Sequence, residues 1–280
     1  MKKLITILAA SALAASAFAG NITVKGSDTL LILAQKWAET YMGTHTNVNI
    51  SVSGGGSGIG FAALQGQTTD LCDASRKIKA AEIQKCIVAF GARPTEYKVA
   101  LDGLSVYVNP ENPLTELSVA QVGDIFTGKI TNWKDVGGPD APITVYSREN
   151  SSGTYEFFKA NVLKGQDFAA SAQTMPGTAA IVQAVVKDKY GIGYGGAAYG
   201  GGSKMLAIKK TDGAAAIAPT EDNVENRTYP IWRFLYIYVD PAKDKGEIAD
   251  YLDWIRSDDG QKYVKDVGYY PLPKNFRSGN

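Results

Sequence analysis

Apolar and polar positions follow a repeating order along this chain: short strand, small-residue turn, helix. An apolar run at 22–24 gives way to the turn Gly26-Ser27-Asp28, after which Leu30, Leu33, Ala34, Trp37 and Tyr41 recur at helical spacing. Alternation over 48–52 predicts a half-buried strand, which runs into Gly54-Gly55-Gly56-Ser57-Gly58 and a second helix carrying Ile59, Ala62, Ala63 and Leu64. The order recurs with a short strand at 70–72, the loop Asp73-Ala74-Ser75-Arg76 and a helix over about 79–89. Strands alternating with helices predict an α/β fold with a largely parallel sheet.

Two longer β-rich stretches, 97–108 and 231–239, break this rhythm. Asn109-Pro110 and Asn112-Pro113 mark turns after the first of them. Between the two lie helices over 119–126 and 178–187, a helix containing Tyr155, Phe157, Phe158 and Val162, and a strand over 143–146. Two helices near 246–256 and 259–267 close the chain. The pattern predicts two lobes, residues 20–104 plus 236–280 and residues 105–235, joined by two crossover strands. A ligand cleft between such lobes closes by hinge motion.

Residues 1–19 stand apart from this pattern. Lys2 and Lys3 precede an apolar stretch over 4–13, and Ala17-Phe18-Ala19 is an A-x-A cleavage site. These are the three parts of a secretory signal peptide, so the mature chain is expected to begin near Gly20 in an oxidising compartment outside the cytoplasm. The apolar stretch is too short to span a bilayer comfortably.

Charge and residue usage then narrow the function. The chain has 29 basic and 28 acidic side chains, a net charge of +1. Nucleic-acid binders usually carry a basic patch, so none is expected as a partner. An anion bound here has to be held by local donors. His45 is the one histidine, which excludes a multi-His metal site and argues against His-based catalysis. No metal, cofactor or catalytic residue is assigned. Cys72 and Cys86 are the two cysteines. They are either a disulfide or two separate buried thiols, because sequence does not show whether their Cα atoms approach within about 7 Å.

Four turns share one composition: Gly26-Ser27-Asp28-Thr29, Gly56-Ser57-Gly58, Ala74-Ser75-Arg76 and Ser151-Ser152-Gly153-Thr154. Each is read as sitting where a helix begins. A helix N-terminus offers unpaired N–H groups and a partial positive charge, which suit a small anion. Glycine allows close backbone approach, and Ser and Thr add neutral hydroxyl donors. Any one such turn is more often ordinary capping. Four of them across both lobes, with Arg148 just ahead of the last, point to an oxyanion site, since a guanidinium fork suits a tetrahedral oxyanion. Other motifs fail. Gly191-Ile192-Gly193-Tyr194-Gly195-Gly196 matches G-x-G-x-x-G but is read as following a helix rather than a strand, with no helix opening in it. The run 54–60 lacks the Lys of a phosphate-binding nucleotide loop, and Ser152 has no evident His to activate it.

These stretches resemble the substrate-binding proteins of bacterial phosphate ABC transporters, over essentially the whole mature chain. The most specific is Arg148-Glu149-Asn150-Ser151-Ser152-Gly153-Thr154, similar to the family's Arg-x-x-x-Ser-Gly-Thr anion loop. The run from Asp124 through Phe126, Gly128 and Asn132 to Trp133, the turn Gly56-Ser57-Gly58, and Gly26-Ser27-Asp28-Thr29-Leu30 followed by Trp37 are also typical. The resemblance implies a two-lobed periplasmic binding protein, acting as a monomer, that delivers inorganic phosphate to a membrane permease. It implies phosphate contacts from Asp28, Thr29 and Ser57 in one lobe and from Arg148, Ser152, Gly153 and Thr154 in the other. Ser27, Ser75 and Arg76 complete the candidate set. In the best-known branch a carboxylate stands where this chain has Ser75, accepting the proton of hydrogen phosphate and so rejecting sulfate. Asp28 is the candidate to take over that role here. The competing readings are a receptor for sulfate or arsenate and a secreted phosphatase-type enzyme.

Overall fold

The computed structural model describes residues 20–277, so the signal-peptide reading lies outside the described residues. The first lobe opens with β1 (Gly20–Gly26), α1 (Leu31–Thr44), β2 (Val48–Ser53), α2 (Ser57–Gln65), β3 (Leu71–Ala74) and α3 (Ala80–Phe90). The first crossover strand is β4 (Thr95–Val108). The second lobe holds β5 (Glu116–Ser118), α4 (Val119–Phe126), β6 (Thr144–Arg148), α5 (Gly153–Asn161), β7 (Gln173–Met175), α6 (Gly177–Lys187) and β8 (Gly191–Gly196). After the short β9 (Lys204–Met205), β10 (Ala207–Lys209), β11 (Ala216–Ile217) and α7 (Glu221–Glu225), the chain returns through β12 (Trp232–Val239) to α8 (Glu247–Arg256) and α9 (Asp258–Asp266).

One sheet runs through both lobes in the order β2-β1-β3-β12-β4-β8-β6-β7. It is parallel within each lobe, at β1–β2, β1–β3, β6–β7 and β6–β8. It is antiparallel wherever β4 or β12 takes part, so the sheet is mixed where a largely parallel one was expected. The reason is the crossovers: β12 brings the chain back from the second lobe and runs against both of its neighbours. Along β4 the partner changes from β12, up to Gly103, to β8, from Leu104 onward. Earlier along β4, opposite residues 98–100, β12 shifts register between Leu235 and Tyr236.

Each lobe buries its own core. One forms around Ile22, Leu33, Trp37, Leu71, Val99 and Leu252, the other around Val106, Phe126, Trp133, Phe158, Ile192 and Tyr194. Helix α2 differs from its sequence reading. It buries Phe61 and Leu64 and leaves Ile59 exposed. Gly60 decides this rotation, since a Cβ there would stand 2.7 Å from the Gly26 Cα, so this glycine edge is pressed against β1. The G-x-G-x-x-G stretch follows a helix, α6, as read, and is itself a strand, β8. Its glycines make room for neighbours: a Cβ on Gly193 would meet Ile181 at 2.4 Å, and one on Gly195 would meet Thr178 at 2.5 Å. Cys72 and Cys86 are free thiols, both buried beside Phe61, Ala74 and Tyr238. Burial pushes the Cys86 thiol up to about 11 and the Cys72 thiol well above its ordinary value.

Trp37 ties the first lobe to the C-terminal helices. It is fully buried, and its indole N–H donates to the Gly260 carbonyl at 2.8 Å. Trp37→Ala empties this position and leaves that carbonyl without its donor. The expected cost is about 3–5 kcal/mol, read from urea unfolding with phosphate excluded from the buffer.

Candidate functional site

The four turns of the sequence reading meet where the lobes touch, although the one at Ser75 opens no helix directly. Ser57 is the first residue of α2, behind Gly56 at φ +95°. Ser152 caps α5, its hydroxyl accepting from the Tyr155 N–H at 3.2 Å. Helix α1 begins at Leu31, and no side chain caps it. Ser75 ends no helix and starts none: α3 begins at Ala80, several residues on, so Ser75 reaches the site from the end of β3. The helix-start reading is corrected for the Ser75 turn, while the turn 26–29 leads directly into α1 as expected.

The hydroxyls converge from both lobes. Thr29 Oγ1 lies 2.6 Å from Thr154 Oγ1, and Ser75 Oγ lies 3.3 Å from the same atom. Ser57 Oγ accepts from the Ser75 N–H at 3.0 Å and stands 3.4 Å from the Ser75 hydroxyl. All four side chains are buried. Gly153 has to be glycine for this approach, because a Cβ would fall 2.3 Å from Ser57 Oγ and 2.8 Å from Ser75 Oγ. The lobes also touch backbone to backbone, with the Gly58 N–H donating to the Ser151 carbonyl at 2.9 Å. The turn 26–29 is held by its own carbonyls. Tyr199 donates to the Asp28 carbonyl at 2.7 Å and Tyr269 to the Thr29 carbonyl at 2.6 Å, while the Ser27 N–H donates to the Asp73 carbonyl at 2.9 Å.

Beside this cluster Arg148, at the end of β6, joins the lobes through Asp28. Its Nη2 donates to Asp28 Oδ2 at 2.7 Å and to Glu149 Oε1 at 2.7 Å. Its Nε donates to Glu149 Oε2 at 3.1 Å and its Nη1 to the Thr178 hydroxyl at 3.0 Å. Burial pushes the Glu149 carboxyl up, but the bond from Arg148, the charge of that guanidinium and backbone N–H bonds together outweigh it and hold the group below its ordinary value. Asp28 does not cap α1. Its other oxygen accepts from the Gly55 N–H at 2.8 Å, so the carboxylate faces the cleft. Arg76 is not brought to the hydroxyls. Its fork is taken by Glu82 at 2.8 and 2.7 Å, it pairs with Glu156 of α5 at 3.0 Å, and it lies over the Phe61 ring.

The sequence pattern of the PBP superfamily domain matches residues 12–259. The chain belongs to the PBP superfamily. It is 38% identical over 275 residues to the phosphate-binding protein PstS of Pseudomonas aeruginosa, covering 92% of this chain and 85% of that one. To PstS of Staphylococcus epidermidis it is 35% identical over 263 residues, covering 91% and 80%. Among solved structures it is similar to a Clostridium perfringens protein described as a phosphate ABC transporter substrate-binding protein with bound phosphate. There the TM-score is 0.82 at 27% identity, covering 90% of this chain and 100% of that one. An ABC-type phosphate transport receptor from Vibrio cholerae matches at a TM-score of 0.71 and 28% identity, covering 90% and 100%.

In this superfamily member two charged residues at the junction escaped the sequence reading, Asp102 on β4 and Arg233 on β12. Each interrupts an otherwise apolar run of a β-rich stretch, and that interruption was the available signal. They are cross-strand partners, and the Arg233 guanidinium also donates to Thr154 Oγ1 at 3.0 Å.

Asp73 is a further buried carboxyl, 2% exposed, and its Oδ1 has no hydrogen-bond partner among the described residues. Burial raises it from 3.8 to about 7. Between those two values the folded chain holds a proton that the unfolded chain has released, so stability falls as pH rises through this window. At about 1.4 kcal/mol per unit the loss is roughly 4 kcal/mol. Asp73→Asn should be less sensitive to pH and more stable than the parent near neutrality, as read by melting curves across this range.

Proposed function

We propose that this protein is a periplasmic receptor that captures inorganic phosphate between its lobes and delivers it to an ABC import permease. The observation that carries the reading is the buried hydroxyl cluster of Thr29, Ser57, Ser75 and Thr154, drawn from both lobes beside Arg148. Hydroxyls both donate and accept, so bonds now made among them exchange for bonds to an oxyanion without exposing an unpaired group. The Gly153 and Thr154 N–H groups at the start of α5 add the partial positive charge of a helix N-terminus. The relatives named for phosphate binding support phosphate over other oxyanions. Capture, closure and release break no bond, and the chain is expected to work as a monomer, exported by its signal peptide.

Two ion pairs across the cleft, Arg148–Asp28 and Arg76–Glu156, support a hinge that closes on the ligand, with lobe boundaries near 104 and 236. Calorimetry on dialysed protein should show phosphate binding at one site and no comparable heat with sulfate. Absence of phosphate binding would overturn the reading. Arg148→Ala removes a buried cation and leaves Asp28 and Glu149 facing each other, so phosphate affinity should fall at least tenfold to a hundredfold, equivalent to about 1.5–3 kcal/mol.

Selectivity is assigned to Asp28. A carboxylate accepts and cannot donate, so it bonds a protonated phosphate and repels sulfate. With one oxygen on Arg148 and the other on Gly55, it is oriented and retains acceptor capacity. Asp28→Asn should admit sulfate in competition binding at fixed ionic strength. If the variant excludes sulfate as well as the parent does, the acceptor is another group.

A further inference from the structure

Arg233 and Asp102 face each other on the two crossover strands, one residue before β4 changes partner from β12 to β8. Both are buried, at 3% and 0% exposed. Arg233 Nε and Nη2 donate to Asp102 Oδ2 at 2.9 and 2.7 Å, and Asp102 Oδ1 accepts from the Ala197 N–H at 3.1 Å. The rest of the fork points into the hydroxyl cluster. Nη1 donates to the Ser75 carbonyl at 3.0 Å, and Nη2 donates to Thr154 Oγ1 at 3.0 Å. Thr154 Oγ1 is the atom that Thr29 and Ser75 also approach. A pair serving only to join two strands has no need to aim donors at a backbone carbonyl of one lobe and a hydroxyl of the other, and apolar residues would do that work at lower desolvation cost.

The charge around Arg148 makes the same point. That guanidinium already bonds two carboxylates, Asp28 and Glu149, so its group carries a net negative charge. Arg233 is balanced by one carboxylate, Asp102. An anion entering the cluster next to the Arg148 group alone would meet repulsion as well as attraction. The N–H that now reaches Thr154 is the closest cationic donor to the converging hydroxyls.

We infer that Arg233 is a second guanidinium of the anion site, donating from Nη2 to an oxygen of the bound oxyanion in place of Thr154 Oγ1, with Asp102 fixing the fork. This rests on the phosphate reading above. It also makes the crossover strands part of the binding surface, so the ligand is anchored at the hinge as well as clasped by the lobes.

The test is calorimetry with inorganic phosphate on the parent, Arg233→Gln, Arg233→Lys and the double variant Arg233→Gln with Asp102→Asn. The double variant avoids leaving a lone buried carboxylate, and circular dichroism checks that each chain is folded. Phosphate affinity should drop roughly tenfold to a hundredfold in the folded Gln variants, with part of the loss recovered by Lys. The drop should be larger on the alkaline side of the second ionisation of phosphate, where the ligand is a dianion, than on the acid side. Failure of the parent to bind phosphate would sink the receptor reading itself. If the parent binds and the folded Gln variants bind equally well, Arg233 is no ligand. A loss that is the same for both ionisation states and is not recovered by Lys would mark Arg233 as a purely structural residue and overturn the inference.

Discussion

A guanidinium and a carboxylate buried opposite each other on the two strands that pass between the lobes constrain the rest of this molecule. Removing either partner of such a pair costs about 3–5 kcal/mol, because the other is left charged in a medium that cannot solvate it. Arg233 and Asp102 therefore fix the register of β12 against β4 at the level where β4 leaves one half of the sheet for the other. From that fixed point the Ser75 carbonyl is held on one side and Thr154 on the other. Ala197, at the end of β8, is held through the second oxygen of Asp102. The crossover strands and the hydroxyl cluster are thus one hydrogen-bonded unit.

The charges around the cleft follow the same discipline. Arg148 is matched by Asp28 and Glu149, Arg233 by Asp102, and Arg76 by Glu82 and Glu156. No long-range positive field results, in keeping with a net charge of +1. An anion gains by reaching the short-range donors at the centre of the cleft, and attraction at a distance contributes little. Selectivity then depends on which oxygens donate and which accept, a property that a simple excess of lysines would not provide.

Much of this was legible in the sequence because periodicity reports packing directly. Helix α4 falls at 119–126 as its apolar spacing predicts, and the crossover strands and terminal helices fall within two residues of their expected ends. The misses have physical causes. Strand β8 has four glycines in six residues, so it has few side chains whose alternation could reveal a strand. The Ser75 turn has the composition of a helix start, but its place is fixed by the end of β3 and by bonds to Ser57 and Arg233. Arg233 and Asp102 are each anomalous in an apolar run, yet their partnership depends on a pairing between strands far apart in the sequence. Arg76 shows the converse. Its place in a promising turn suggested a ligand, while Glu156 from the other lobe claimed its charge.

The use of hydroxyls at the point of contact also bears on release. Thr29 bonds Thr154 across the cleft, and Ser75 bonds both Ser57 and Thr154. A cluster of donors alone would be left with unpaired, repelling groups whenever the lobes met without an anion, and closure would then depend wholly on the ligand. Hydroxyls rotate and satisfy one another, so on the proposed reading closure with and without phosphate differ by exchanged hydrogen bonds and not by lost ones. Each exchange is worth only about 0.5–1.5 kcal/mol for neutral partners. On the same reading the larger contributions come from Arg148 and Arg233, each held in position by carboxylates. On that reading the cleft is preorganised where the charge is strongest and adaptable where the bonds are weakest, an arrangement that lets a receptor bind tightly and still release its ligand.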